Sequence, residues 1–94
     1  MIIGACTVHL YLPGVSSLKE KRGILKPLEH QIRSRFEVAV AEIDHQDIWQ
    51  SSAIAVVAVA TDAGHIYRLL EKIIHWIEGH AYQVQLVDWD IELR

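Results

Sequence analysis

Ninety-four residues, 51% hydrophobic and 22% charged, with five Gly and two Pro, exclude a disordered tail, a collagen-like chain and a disulfide scaffold. They leave room for one core and not two, so a single domain over residues 1–94 is expected, and one cysteine, no apolar run longer than Ala53 to Ala60 and no basic start before Ile2-Ile3-Gly4 lead to the expectation of a cytoplasmic protein without a membrane anchor. The net charge of −3 hides an asymmetry: Ser17 to Arg35 holds six basic residues against two acidic, a net of +4, while the remainder holds three basic against ten acidic, a net of −7.

In chain order, residues 2–12 alternate as a half-buried strand, with Cys6, Val8, Leu10 and Leu12 on one face and Thr7, His9 and Tyr11 on the other. Pro13-Gly14 ends it. Ser17-Leu18-Lys19-Glu20 reads as a capping box opening a helix whose apolar residues Leu18, Leu25, Leu28, Ile32 and Phe36 recur at helical spacing. Pro27 lies inside that helix, and Gly23, whose carbonyl its ring would meet, lets the backbone yield, so a kink is expected and not a break. Residues 37–44 form a second strand. The run from Ser52 to Thr61 is apolar on both faces and belongs at the centre of a sheet. Thr61 or Asp62 caps a second helix with Ile66, Leu69, Leu70, Ile73 and Ile77 as its core stripe and Gly79 as its stop. Tyr82 to Leu93 is the last strand, and a change of apolar phase predicts a bulge near Leu86.

The order βαββαβ, joined by right-handed crossovers, gives an α+β fold: a ferredoxin-like sandwich with a four-stranded antiparallel sheet, strand order 4-1-3-2, and two helices on one face. The other face stays open. Because several of its residues are apolar, a homodimer is expected to cover it or to extend an edge strand.

The run Leu12-Pro13-Gly14, then Ser17-Leu18-Lys19-Glu20-Lys21-Arg22, Arg33-Ser34-Arg35-Phe36 and above all Val40 to Gln50 (VAEIDHQDIWQ) resembles the YlxP-like family of small bacterial proteins, a domain of unknown function. The resemblance covers nearly the whole chain. It implies a ferredoxin-like fold, a cytoplasmic location and an association with translation and ribosome maturation, since family members are often encoded beside such genes. Two departures, Gly23 where relatives carry a basic or polar residue and Pro27 where they carry a helix former, thin or bend the basic helix.

Lys19, Arg22, Lys26 and Arg33 fall at i, i+3, i+7 and i+14 and share one helix face, flanked by Lys21 and Arg35. Such a stripe can track successive phosphates, and the scarcity of interleaved acids favours that over a merely solvated face. RNA or the ribosome is the expected partner. Glu42, Asp44, His45 and Asp47 crowd one strand end, where they can hold a divalent ion or relay a proton, but no zinc or calcium spacing is present. A solvated turn is the favoured reading, with Asp44 and Asp47 capping amides and Trp49 anchoring the turn on the domain. The scattered histidines form no ligand set, Cys6 reads as a small core residue, and neither cofactor nor metal is implied.

Sister folds supply contrasts. An RNA-recognition motif stacks bases on aromatics of its first and third strands, but Ile54 to Val59 holds none. A metallochaperone would carry C-x-x-C after the first strand, and an acylphosphatase-like enzyme an Arg-bearing phosphate loop; Leu12 to Ser17 has neither. No catalytic constellation emerges, and a non-enzymatic binding protein is expected. The Pro-Gly turn into a helix is similar to that of ACT-type regulatory domains, which keeps small-metabolite binding at a dimer interface as the alternative.

Overall fold

The alternation of the first strand sets the layers, because a side-chain period of two sends Cys6, Val8, Leu10 and Leu12 to one side and closes them almost completely to solvent. The computed structural model describes residues 1–80 and 82–94. Its elements are β1 (Ile2–Tyr11), α1 (Leu18–Phe36), β2 (Ala39–Asp44), β3 (Ser51–Ala60), α2 (Ala63–His80) and β4 (Gln85–Leu93). The sheet order is β2-β3-β1-β4 with every pair antiparallel, which is the expected ferredoxin-like order read from the other edge.

β3 is central, as its two-sided apolarity requires. Ile54, Val56 and Ala58 pair with Val8, Cys6 and Gly4 on the helix side. There they meet Ile66, Leu70, Ile73 and Ile77 of α2 and Leu25, Leu28 and Ile32 of α1, all buried. α2 comes closest at Gly4, where an added Cβ would lie 2.8 Å from Ile66 Cδ1 and 2.9 Å from its Cγ1. A Cβ there fits only if the Ile66 side chain gives way.

The caps differ in detail from the expected ones. Ser17 Oγ accepts from the Glu20 amide at 3.0 Å, but the Glu20 carboxylate reaches back to the amide and hydroxyl of Ser16. α1 is unbroken through Pro27 and ends when Glu37 takes a left-handed conformation, φ 54°, its N–H bonding the Arg33 carbonyl at 3.0 Å. That cap delays β2 to Ala39, so residues 37 and 38 are not strand as expected. Asp62 is the cap of α2, its Oδ2 accepting from the His65 amide at 2.8 Å. Gly79 does not stop α2, which runs one residue further to His80. β4 begins at Gln85 and not at Tyr82; the bulge lies beside Leu86, where Leu86 pairs with Leu10 and Asp88 with His9, leaving Val87 unmatched.

The open sheet face has two characters. Toward β3 it presents Ala5, Ala55, Val57 and the exposed Val59; toward β4, Asp88, Asp90 and Glu92 lie opposite His9, Thr7 and Ala5. No helix of the described residues is long and apolar enough to cross a membrane. Gly4→Ala is expected to lower unfolding free energy by about 1–2 kcal/mol, since overpacking against Ile66 outweighs the gain in strand propensity. Urea denaturation measures this, and an unchanged midpoint would show that α2 can yield at Ile66.

Candidate functional site

The first helix places its charges by spacing, and one of them falls on the core side. Lys21 continues the apolar series Leu18, Leu25, Leu28 and Ile32 at three- and four-residue steps, so its ammonium points inward and the residue is 2% exposed. Nζ donates to the carbonyls of His45 at 2.5 Å and Ile48 at 2.7 Å and lies 2.8 Å from Glu42 Oε2. Those three acceptors match the three donors of an ammonium group. Glu42 Oε2 also accepts from the buried Ser52 hydroxyl at 2.6 Å. Lys21 is therefore not a free cation, and the expectation that it contributes to anion binding is corrected: its three donors are spent on two carbonyls of the β2–β3 turn and on Glu42 of β2.

The remaining cations divide between two flanks of α1. At 3.6 residues per turn, Lys19, Arg22, Lys26 and Arg33 fall within an arc of about 60°, with His30 at its edge. All of them are exposed. Arg33 is partly committed, its Nη2 donating to the Val40 carbonyl at 3.0 Å. Glu29, itself buried, stands beside the stripe with Arg33 at 3.6 Å and Lys26 at 3.9 Å. Arg35 is about 180° from Lys26 on the helix. Its guanidinium carbon lies 5.8 Å from the centre of the Trp76 ring, so it faces α2 and does not flank the stripe on the same side.

The acidic turn is a structural knot. Asp44 Oδ1 accepts from the His45 amide at 2.8 Å, and His45 adopts φ 62°, its carbonyl receiving both Lys21 and the Ile48 amide. Asp47 is exposed and caps no amide among the described residues, contrary to expectation. Trp49 is half exposed, so it does not anchor the turn; Lys21 does that instead, helped by Gln50, whose carbonyl accepts from Leu12 N at 2.9 Å and whose Nε2 donates to the Val15 carbonyl at 3.2 Å. No group of three or more His, Cys, Asp and Glu side chains is placed to hold a metal ion among the described residues. Burial pushes the Cys6 thiol up to about 11, with the Asp90 charge adding to the effect, so it stays protonated at neutral pH and is a poor nucleophile.

The profile of a family described as proteins of unknown function, DUF503, matches residues 3–91. The uncharacterized protein YlxP of Bacillus subtilis (strain 168) is 29% identical over 78 residues, covering 83% of this chain and 85% of that protein. Among solved structures, an acylphosphatase from Bacillus subtilis superposes over all of this chain and 86% of its own, with a TM-score of 0.56 at 11% identity. The de novo designed protein Foldit4 superposes over 100% of this chain and 97% of its own, with a TM-score of 0.55 at 12% identity. At that identity these two report the shared sandwich and nothing of its chemistry.

Removing the buried cation while leaving Glu42 in place is expected to be costly. Lys21→Met should lower unfolding free energy by about 2 kcal/mol or more, because the partly buried Glu42 carboxylate loses its counter-charge and two carbonyls lose their donor, whereas exposed Arg22→Gln should change it by no more than about 0.5 kcal/mol. Adding Glu42→Gln to Lys21→Met should recover part of the loss. Urea titration of the four proteins tests this, and equal stability of the two single variants would refute the role given to Lys21.

Proposed function

The chain belongs to the DUF503 family of proteins of unknown function, and on that premise we propose that it is a non-enzymatic RNA-binding protein, acting on RNA or on the ribosome through the exposed flank of α1. The observation that carries this reading is the stripe Lys19, Arg22, Lys26 and Arg33, exposed together on one flank of a helix in a chain whose net charge is −3. Its spacing suits phosphates, which release counterions as they are neutralised. The opposite surface supports the same orientation: Asp88, Asp90 and Glu92 on the open sheet face repel a polyanion there, so the molecule meets it helix side first.

Trp49 extends the site. Lys21 holds the β2–β3 turn against the start of α1, and Trp49 at the end of that turn is half exposed. An exposed indole on the turn docked to the basic helix gives an unpaired base a surface to stack on. The hydrolytic reading has less support, because the turn after β1 carries no arginine and the Glu42 carboxylate is held by Lys21 and Ser52. The alternative of a metabolite at Pro13-Gly14 rests on an exposed turn with Gly14 at φ 78° and on nothing further.

With three to four cations engaged, the log of affinity for single-stranded RNA should fall with the log of salt concentration at a slope of about −2 to −3. Lys19→Gln with Arg22→Gln should weaken binding evenly across sequences and make that slope shallower by about one unit or more, while Trp49→Ala should weaken binding with the slope kept. Fluorescence anisotropy at several salt concentrations, together with sedimentation alongside ribosomal subunits, measures both. Association untouched by the double substitution at low salt would reduce the stripe to a solvated face.

A second copy of the chain is proposed as a further partner, covering the apolar half of the open sheet face around Val57 and Val59 or pairing along the β2 edge. Light scattering at tens of micromolar should give twice the chain mass, and a monomer there would end this proposal.

A further inference from the structure

The backbone bonds at the end of β4 fix which of its groups face outward. Ile3 and Arg94 exchange both of their N–H···O bonds at 2.7 Å, and the β1–β4 register then runs without a shift from Gly4 and Leu93 to His9 and Asp88. Bonded and unbonded pairs alternate along an antiparallel ladder, so Glu92, Asp90 and Asp88 bond to β1, while Leu93, Ile91 and Trp89 turn their N–H and C=O groups the other way. β4 ends the sheet, and no strand of the described residues lies on that side. The Trp89 N–H is met by Asp88 Oδ1 at 2.9 Å, but those of Ile91 and Leu93 have no strand to bond.

The side chains of β4 sort by the same period of two. Trp89, Ile91 and Leu93 stand opposite Val8, Cys6 and Gly4 on the helix side, where Trp89 and Leu93 are exposed, and Val87 is exposed at the bulge. Asp88, Asp90 and Glu92 line the open face. There Glu92 has Arg94 at 3.2 Å, whereas Asp88 and Asp90 have no cation within ion-pair distance among the described residues. Charged side chains keep an edge strand from pairing, but protection gives no reason for three large apolar residues to be exposed on the same strand. The acids also select the partner. A second copy added antiparallel sets acid against acid on the open face, which is destabilising, while a cation opposite each carboxylate is favourable.

We propose that the outer edge of β4 takes up an extended segment of another protein, in which basic and apolar residues alternate, as a fifth antiparallel strand. Its backbone bonds to Ile91 and Leu93, its apolar side chains lie beside Trp89 and Leu93, and its Lys or Arg side chains stand opposite Asp88, Asp90 and Glu92. β4 lies at the edge of the sheet opposite β2, against which α1 packs, so this site is separate from the Lys19 to Arg33 stripe and does not depend on RNA binding.

Nuclear magnetic resonance of the full chain labelled with nitrogen-15, titrated with a capped peptide of alternating Lys and Val about seven residues long, tests this residue by residue. The amide signals of Ile91 and Leu93 should move downfield and lose exchange with solvent, while those of Asp90 and Glu92, already bonded to β1, change little. N-methylation of the peptide at Val should abolish binding and at Lys should leave it, because in an antiparallel pair only the residues opposite Ile91 and Leu93 turn their N–H toward β4. Asp90→Lys with Glu92→Lys, both exposed, should weaken binding about tenfold or more and let a Glu and Val peptide bind instead. Ile91 and Leu93 amides unmoved at about 1 mM peptide, or a peptide of the same composition with Lys and Val in separate blocks binding equally well, would overturn the proposal. So would movement of those two amides with protein concentration alone, which gives the edge to a second copy.

Discussion

A single buried ammonium group fixes how the helix layer and the sheet edge meet. Lys21 reaches from the first turn of α1 into the β2–β3 turn and donates to two backbone carbonyls and to Glu42. α1 approaches the sheet chiefly at β2, so this contact is the polar counterpart of the apolar seam formed by Leu25, Leu28 and Ile32. Apolar packing has no direction and would tolerate a sliding hairpin. An ammonium with three acceptors does not, since each carbonyl left without a donor in the interior carries a desolvation cost. The turn in consequence takes one shape, with His45 in a left-handed conformation that an L-residue adopts only where its surroundings demand it.

That constraint also organises the surface. With Lys21 withdrawn into the interior, the charge of α1 resolves into two flanks of unlike chemistry. Lys19, Arg22, Lys26 and Arg33 face outward, with Gln46 and Asp47 of the β2–β3 turn beside Arg22 and Lys26. Arg35 faces α2 across Trp76.

The sheet's far side contributes by what it withholds. Its third strand offers only small aliphatic residues and no aromatic surface, and β4 edges it with carboxylates. The proposed RNA site accordingly lies on the helix side, although related sandwiches that read RNA use the sheet. Cys6, buried on the helix side of β1, has its thiol held protonated by burial and by Asp90, so it contributes packing and no chemistry.

The sequence by itself determined the elements, their order and the antiparallel topology, because periods of 2 and 3.6 are properties of the chain and survive any environment. It also contained the bulge near Leu86, the Ser17 and Asp62 caps and the membership of Cys6 in the core. Lys21 shows where such reading fails: its spacing lies on the apolar stripe of α1, but its charge assigns it to solvent, and only the arrival of two carbonyls and Glu42 from residues twenty-one to twenty-seven positions away makes burial favourable. Trp49 erred in the opposite sense, since a large indole reads as an anchor until a better one occupies the place. The division of α1 into two flanks was decided by tertiary structure alone, because it depends on what another element brings to the contact.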